Sequence, residues 1–464
     1  MTLLRFGVRA VAVVAAVTSL FTLARLTNLS PLPNWSVPLQ LHQPDNDHHR
    51  ENHDGPRCRK LTGGEDVVVV MRTGATEIKD KLPIHLATTF QCYPDTLIFS
   101  DLAEVFQGHQ VHDVLAAVDD RVKETNGDFA HYLRLQRLGR EGFDQSELSD
   151  SSYESGPVGK NDNAGWRLDK WKFLPMMVRT LEFRPDKKWY VFVEPDTYLV
   201  WSNLLQWLQK LDPSKPFYSG SEVQIGEDIF AHGGSAFVMS RSAIQKGAEL
   251  YTSEPDEWHT RTSQHWAGDC ILGTALQKAG VGMAWGWPMF QGGNPADMNW
   301  ADAKVDRIKL LWCGPAISYH HFDPDQVQDM WEFEQRWIRN STAPRSRFWQ
   351  RRKTVLYHSD TFLRYVMPNL TSERADWSNS SPELIPNSRG LTAADCRASC
   401  EAKTSPANET CVQYALSEIG CSLSSDVKMG KAAKGVRSGW IMDRVEAWLD
   451  GLEECGSRAG WTVT

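Results

Sequence analysis

Two carboxylates end an aromatic and β-branched run, Trp189-Tyr-Val-Phe-Val-Glu-Pro-Asp-Thr-Tyr198. Such a run reads as a buried strand. Glu194 and Asp196 then stand at the C-terminal rim of a sheet, where α/β proteins bind ligands. Carboxylate oxygens suit hard divalent cations such as Mg²⁺ or Mn²⁺, and such a cation can hold a diphosphate. Two further segments carry chemistry of the same kind. In His232-Gly-Gly-Ser-Ala-Phe-Val-Met-Ser240, Gly233 and Gly234 let backbone approach a ligand where a Cβ would clash, although a tight turn explains them nearly as well. In Ser318-Tyr-His-His-Phe322, His320 or His321 supplies an imidazole that Mn²⁺ accepts beside oxygen ligands; the ordinary alternative is a packed or solvated histidine. The chain has no Gly-x-Gly-x-x-Gly and no phosphate-loop signature, which disfavours a dinucleotide-dependent dehydrogenase or an NTPase.

These side chains need a scaffold, and the flanking pattern describes one. Residues 62–105 read as strand, amphipathic helix and strand, with Val67-Val-Val-Val-Met-Arg-Thr-Gly74 and Asp95-Thr-Leu-Ile-Phe-Ser-Asp101 as the two strands. Residues 140–163 are polar and rich in Gly, Ser and Asp, and read as a mobile loop. Ser202 to Lys210 predicts a short helix with Ser202 as its N-cap. Gly268 to Ala279 predicts another, ended by Gly280, and Gln326 to Trp337 a third that packs through Trp331, Phe333 and Trp337. The expected class is α/β with a mostly parallel central sheet.

The order of the pieces adds a further reading. The Val67 strand, the Asp95 strand, Gly165-Trp-Arg-Leu-Asp-Lys-Trp-Lys-Phe173, Glu-Pro-Asp, Gly-Gly, Gly268-Asp-Cys-Ile-Leu-Gly273 and the His pair follow one another as in glycosyltransferase family 31. Over roughly residues 62 to 335 the chain resembles the fringe and core-1 β1,3-galactosyltransferase members of that family. The resemblance implies a GT-A type domain that inverts the sugar's anomeric centre, uses a UDP-sugar donor, galactose first, and acts on a glycan or glycoprotein acceptor such as protein-linked N-acetylgalactosamine. It implies Mn²⁺ held by an Asp-x-Asp-type motif and a distant His. Asp196 matches the last, metal-ligating carboxylate and Glu194 the first. Pro195 departs from the usual middle residue and lacks an N–H, which puts sugar binding or turnover in question. Tyr319-His320 matches the family's Phe-His, so His320 is the expected third ligand. Asp269 matches the acidic residue that serves as general base, with helix capping as its rival role. Thr73 and Gly74 fall where the nucleotide's base and ribose bind, and Asp101 matches an aspartate of the fringe pattern. Lys170 and Lys172 are candidate phosphate contacts, although a lysine pair is usually solvated.

The chain has 464 residues, enough for more than one domain, and a net charge of −8, which gives no electrostatic footprint for nucleic acid. Ala10 to Ala24 is an uncharged, largely apolar stretch behind Arg5 and Arg9. It fits a signal anchor in type II orientation or a cleaved signal peptide, and delivers the bulk of the chain to the Golgi or secretory lumen. Six Asn-x-Ser/Thr sequons, at Asn28, Asn34, Asn340, Asn369, Asn379 and Asn408, agree with that placement. Of the nine cysteines, Cys396, Cys400, Cys411 and Cys421 form a cluster typical of a disulfide-stapled module; the odd count leaves one over, expected to be Cys455. The expected order is tail and anchor over 1–29, stem over 30–61, GT-A domain over 62–350, a linker near 369–390 and a cysteine-rich module over 385–455. The last resembles PAN/apple modules, which implies Cys400–Cys411 and Cys396–Cys421 pairs and leaves open whether it binds a ligand or packs on the catalytic domain. Two other functions stay in view: a transferase-like glycan binder without turnover, and a secreted adhesion protein acting through its tail. Oligomeric state is not legible.

Overall fold

The computed structural model describes residues 56–144, 147, 164–298, 300, 311–342, 354–404, 410–452 and 460–462. In chain order the strands up to residue 319 are β1 (Val67–Arg72), β2 (Thr96–Ser100), β3 (Glu104–Phe106), β4 (His109–Asp113), β5 (Trp189–Val193), β6 (Tyr198–Leu199), β7 (Tyr218–Gly220), β8 (Glu222–Ile225), β9 (Asp228–Ala231), β10 (Phe237–Ser240), β11 (Met283–Trp285) and β12 (Ser318–Tyr319). Eight of them form the central sheet in the order β11-β7-β10-β5-β1-β2-β4-β3, while β6 pairs with β12 and β8 with β9. β4, β2, β1, β5, β7 and β11 run one way, and β10 and β3 run against them. The expected α/β class with a mostly parallel sheet is the observed one.

The apolar runs read as they do because this sheet is covered on both faces. Along β1 and β5, Val68, Val70, Tyr190 and Phe192 enter one core with Phe173, Leu174 and Met177 of the helix Phe173–Phe183. Val67, Val69, Val191 and Val193 enter the other, against Trp201, Leu204 and Trp207 of the helix Trp201–Leu208. Alternate residues of one strand thus feed two cores.

The helix Trp201–Leu208 is N-capped at Val200 without a side-chain bond, so Ser202 is not the cap. The buried carboxylate of Glu334 takes that role, accepting from Ser202 N–H at 3.0 Å and Ser202 Oγ at 3.1 Å. Glu334 lies on the helix Pro324–Thr342, longer than the expected 326–337 and begun by a turn in which Gln326 N–H donates to Asp323 at 2.8 Å. The helix Gly268–Lys278 stops where expected, with Gly280 at φ +76°.

The stretch near 369–390 is not a linker. It supplies β13 (Arg374–Ser378) and β14 (Glu383–Leu384), which join β15 (Gln413–Ser417), β16 (Gly420–Ser424) and β17 (Lys431–Trp440) in an antiparallel sheet ordered β13-β17-β15-β16-β14. Both strands lie at the sheet's edges, where short, charged sequences are normal and hydropathy gives no signal. The Cys396–Cys421 and Cys400–Cys411 disulfides form as the resemblance implied. The tail packs on the larger domain: Val412, Met429, Trp440 and Val445 share one core with Tyr198, Tyr319 and Phe362, and the Trp448 ring lies 5.3 Å from that of Phe362.

Folding begins before residue 62, because Cys58 is bonded to Cys92. The free thiol among the described residues is Cys270, buried and pushed up to about 12 by burial. Cys455 lies outside the described residues, as do the apolar stretch 10–24, residues 30–55 of the expected stem and most of the 140–163 loop. Among the described residues no helix is long and apolar enough to cross a membrane. Asn340 and Asn369 are exposed. Asn379 is fully buried and donates from Nδ2 to Tyr414 O at 3.0 Å, so this sequon is a structural residue.

Candidate active site

β5 ends at Val193, and Thr197 N–H donates to Glu194 O at 3.0 Å, closing a turn with Pro195 and Asp196 in its centre. Proline's fixed φ suits the first central position of such a turn. The turn ends the strand's alternation, and the two carboxylates separate. Glu194 pairs with Arg72, which also pairs with Asp169 and lies 4.0 Å over the Phe173 ring. Glu194, expected as a metal ligand, pairs here with a buried guanidinium, and the group that converges is Asp196 with His320 and His321.

Asp196 meets the histidines because β6 and β12 pair antiparallel, Tyr198 opposite Tyr319. Phe322 N–H donates to Asp196 O at 2.9 Å. His321 adopts φ +62°, a left-handed conformation uncommon for a side-chain-bearing residue. Its ring stands 3.9 Å from that of His320, and one ligand atom each of Asp196, His320 and His321 lies within 4.8 Å of the others. His320 Nε2 is 3.2 Å from Asp196 Oδ1, an ion pair without full hydrogen-bond geometry, and His320 Nδ1 is buried with no partner. Buried polar atoms are rarely left so. One carboxylate and two imidazoles converging on one point fit a divalent cation such as Mn²⁺. Burial opposes ionisation of Asp196, but Lys81 and His320 outweigh it and hold its carboxyl well below the usual range. Burial likewise opposes a charge on His320, and Asp196 outweighs it and raises the imidazole. His321 is driven down to about 4 by burial and by His320.

The helix Ile78–Ala87 and its N-cap Glu77 turn one face to this turn through positions 77, 81 and 85. Lys81 Nζ lies 3.0 Å from Glu77 and 3.5 Å from Asp196 Oδ2. His85, fully buried and lowered to about 4 chiefly by burial, is neutral at pH 7; its Nε2 lies 2.8 Å from Pro195 O and its Nδ1 2.9 Å from Thr89 Oγ1. Nε2–H therefore donates to the Pro195 carbonyl while Nδ1 accepts from the hydroxyl.

The Gly-Gly segment faces the same point. Thr197 Oγ1 donates to Gly234 O at 2.6 Å, and Ser318 Oγ donates to Ser235 O at 2.5 Å. Gly233 N–H donates to Asp269 Oδ2 at 2.9 Å, and Asp269 Oδ1 accepts from Cys270 N–H at 2.9 Å. Asp269, half-buried in the first turn of its helix, is thus tied to the Gly-Gly backbone as well as to its own helix.

At the ends of β1 and β2, Asp101 and Lys172 form a fully buried ion pair, 3.4 Å apart and each 2% exposed. Asp101 accepts from Ala75 N–H at 2.7 Å and Lys172 donates to Thr73 O at 2.8 Å, so the pair holds the Thr73–Gly74 turn from below. Lys170 points elsewhere, to Asp128 at 2.9 Å. Neither lysine is placed as a solvent-facing phosphate contact. Sequence reading passed over Arg72, Asp169, Lys81 and His85. An arginine inside an otherwise apolar strand, and charged residues repeating every four along a helix, were the available signals.

Among solved structures, the chain is similar to the crystal structure of a glycosyltransferase involved in the glycosylation of the major capsid of PBCV-1, at 12% identity over 57% of this chain and 98% of that one. The TM-score is 0.24, and nothing below rests on it. Residues 62–285 match the model of the Fringe family, described as Fringe-like. That span runs from β1 through the Glu-Pro-Asp turn, the Gly-Gly segment and Asp269 to β11, and over it the chain is similar to the Fringe-like family.

Proposed function

We propose that the protein is an inverting, metal-dependent β1,3-glycosyltransferase that moves a hexose, galactose first, from a UDP-sugar to a glycan or glycoprotein acceptor. The observation that carries this reading is the convergence of buried Asp196 and His320 with half-buried His321 at the C-terminal edge of a mostly parallel sheet, with His320 Nδ1 buried and unpartnered. These three residues would hold Mn²⁺, whose charge neutralises the departing diphosphate. His85 fixes the Pro195 carbonyl and Lys81 faces the second Asp196 oxygen, so the turn is oriented before any ligand arrives. Gly233 and Gly234 let Phe173 and His320 pack against backbone where a Cβ would collide, and Asp269, tied to Gly233, takes the proton of the acceptor hydroxyl as the anomeric carbon is attacked from the opposite side. Delivery to the secretory lumen is part of the proposal and draws support from the disulfides. The Golgi membrane anchor rests on residues 10–24 alone.

The test is a donor and acceptor screen of the purified protein, with and without Mn²⁺. Transfer that depends on metal and stops in chelator supports the reading. Transfer undiminished in chelator overturns the metal-dependent mechanism, and UDP–Mn²⁺ binding without transfer to any acceptor favours the glycan-binding alternative.

A further inference from the structure

Two large aromatic side chains are exposed among the described residues, Trp266 at 43% and Trp285 at 61%, and both stand near the candidate site. Trp285 ends β11 at the C-terminal edge of the sheet, and Trp266 lies three residues before Asp269. Trp266 is not alone. The Trp166 ring lies 6.2 Å from it at an interplanar angle of 23°, and the His265 ring 6.0 Å from it at 13°. Three nearly parallel rings thus form an offset run beside the residue assigned as base.

The arrangement is built. Gly268 packs so tightly on the segment after Trp166 that a Cβ there would meet the Lys170 Cα at 2.6 Å and would collide with the Phe173 ring. This contact fixes the Trp266 loop against the helix Ala164–Asp169 that carries Trp166. His265 Nδ1 lies 3.0 Å from both the N–H and the carbonyl oxygen of Ala267, which orients the imidazole. The far end of the same segment reaches the site itself, through Asp169 on Arg72.

We infer that Trp166, Trp266 and His265 form the subsite for the acceptor, stacking the apolar C–H face of a hexopyranose ring while Asp269 meets its hydroxyl. A hexopyranose suits such a surface because its ring carbons present hydrogens on one face and its hydroxyls radiate to the rim, where water satisfies them. Charged ligands have no counterpart among these three residues. The inference rests on the transferase reading, and in particular on Asp269 as base.

The probes are methyl α-N-acetylgalactosaminide and methyl β-galactoside, with glycerol as a polyol that cannot stack. Binding to the full chain is read by intrinsic tryptophan fluorescence and by saturation-transfer NMR, and compared with Trp266→Ala, Trp166→Ala and Trp266→Phe. UDP–Mn²⁺ binding is measured on each variant as a check of the site's integrity. We expect one or both glycosides to bind, the alanine variants to lose about tenfold in affinity, Trp266→Phe to recover part of it, and UDP–Mn²⁺ binding to stay within twofold. In turnover, the acceptor KM should rise with kcat nearly unchanged. The inference is overturned if neither glycoside binds the parent, or if both alanine variants bind as the parent does. Glycoside binding that is lost in Trp266→Ala while no UDP-sugar supports transfer would uphold the subsite and sink the transferase reading.

Discussion

A Cβ on Gly234 would fall 3.0 Å from Nδ1 of His320 and closer still to Cε1 and Nε2. The glycine is therefore what allows the imidazole to stand beside Asp196. Gly234→Ala should push the ring aside, weakening Mn²⁺ binding by about tenfold or more while the fold persists, since a 1.4 kcal/mol loss is already tenfold. Mn²⁺ titration followed by calorimetry, with circular dichroism as the folding control, checks this. Parent-like metal affinity would remove His320 from the ligand set.

Asp269 carries both of its candidate roles in one geometry, bonding to Cys270 N–H and to Gly233 N–H. Asp269→Asn keeps an oxygen for one of these bonds but cannot take a proton. Transfer should fall by about 10²-fold or more, the range for loss of general-base assistance, with UDP–Mn²⁺ binding retained. A purely capping residue gives the reverse: a lower Tm with near-normal turnover by the folded molecules.

Two fully buried histidines set a direction of pH dependence. Burial lowers His85 and His358 to about 4 from an ordinary 6.5. The unfolded chain therefore binds protons that the folded one refuses, and stability present above pH 6.5 is lost as pH falls toward 4. Each histidine contributes up to about 3 kcal/mol to that loss. Urea unfolding at pH 7 and pH 5 should show it, and His358→Asn should flatten the slope.

The sequons sort by burial. Mass spectrometry of the protein expressed through a eukaryotic secretory pathway should find glycan at the exposed Asn340 and Asn369 and none at Asn379. Asn379→Ala should lower Tm instead, because its amide bonds the backbone of Tyr414 from inside the tail's sheet. Glycan recovered at Asn379 would contradict the tail as described.

The parts legible in the sequence were those set by short-range pattern. The β1 and β5 runs, the Gly-Gly segment and the helix that begins at Gly268 all announce themselves through apolar continuity or punctuation. The converging residues were likewise local: Asp196 and the His pair each sit in a compact motif. The separation of Glu194 from Asp196 was not legible, because the strand's alternation stops at Val193 and a turn, not a pleat, decides where residues 194 and 196 point. Ser202 misled because its cap comes from Glu334, 132 residues away. Lys81 and His85 showed only as a four-residue repeat, because tertiary packing alone brings their helix against the Glu-Pro-Asp turn.

Trp440 and Trp448 settle what kind of unit the tail is. They complete the hydrophobic layer beneath Tyr198 and Tyr319, the two residues whose strands carry Asp196 and His320 into register. An enzyme trimmed at residue 373 to isolate its catalytic half would present that layer to water. Any replacement for this tail has to bring a matching apolar face, so its sequence answers to packing against strands of another sheet.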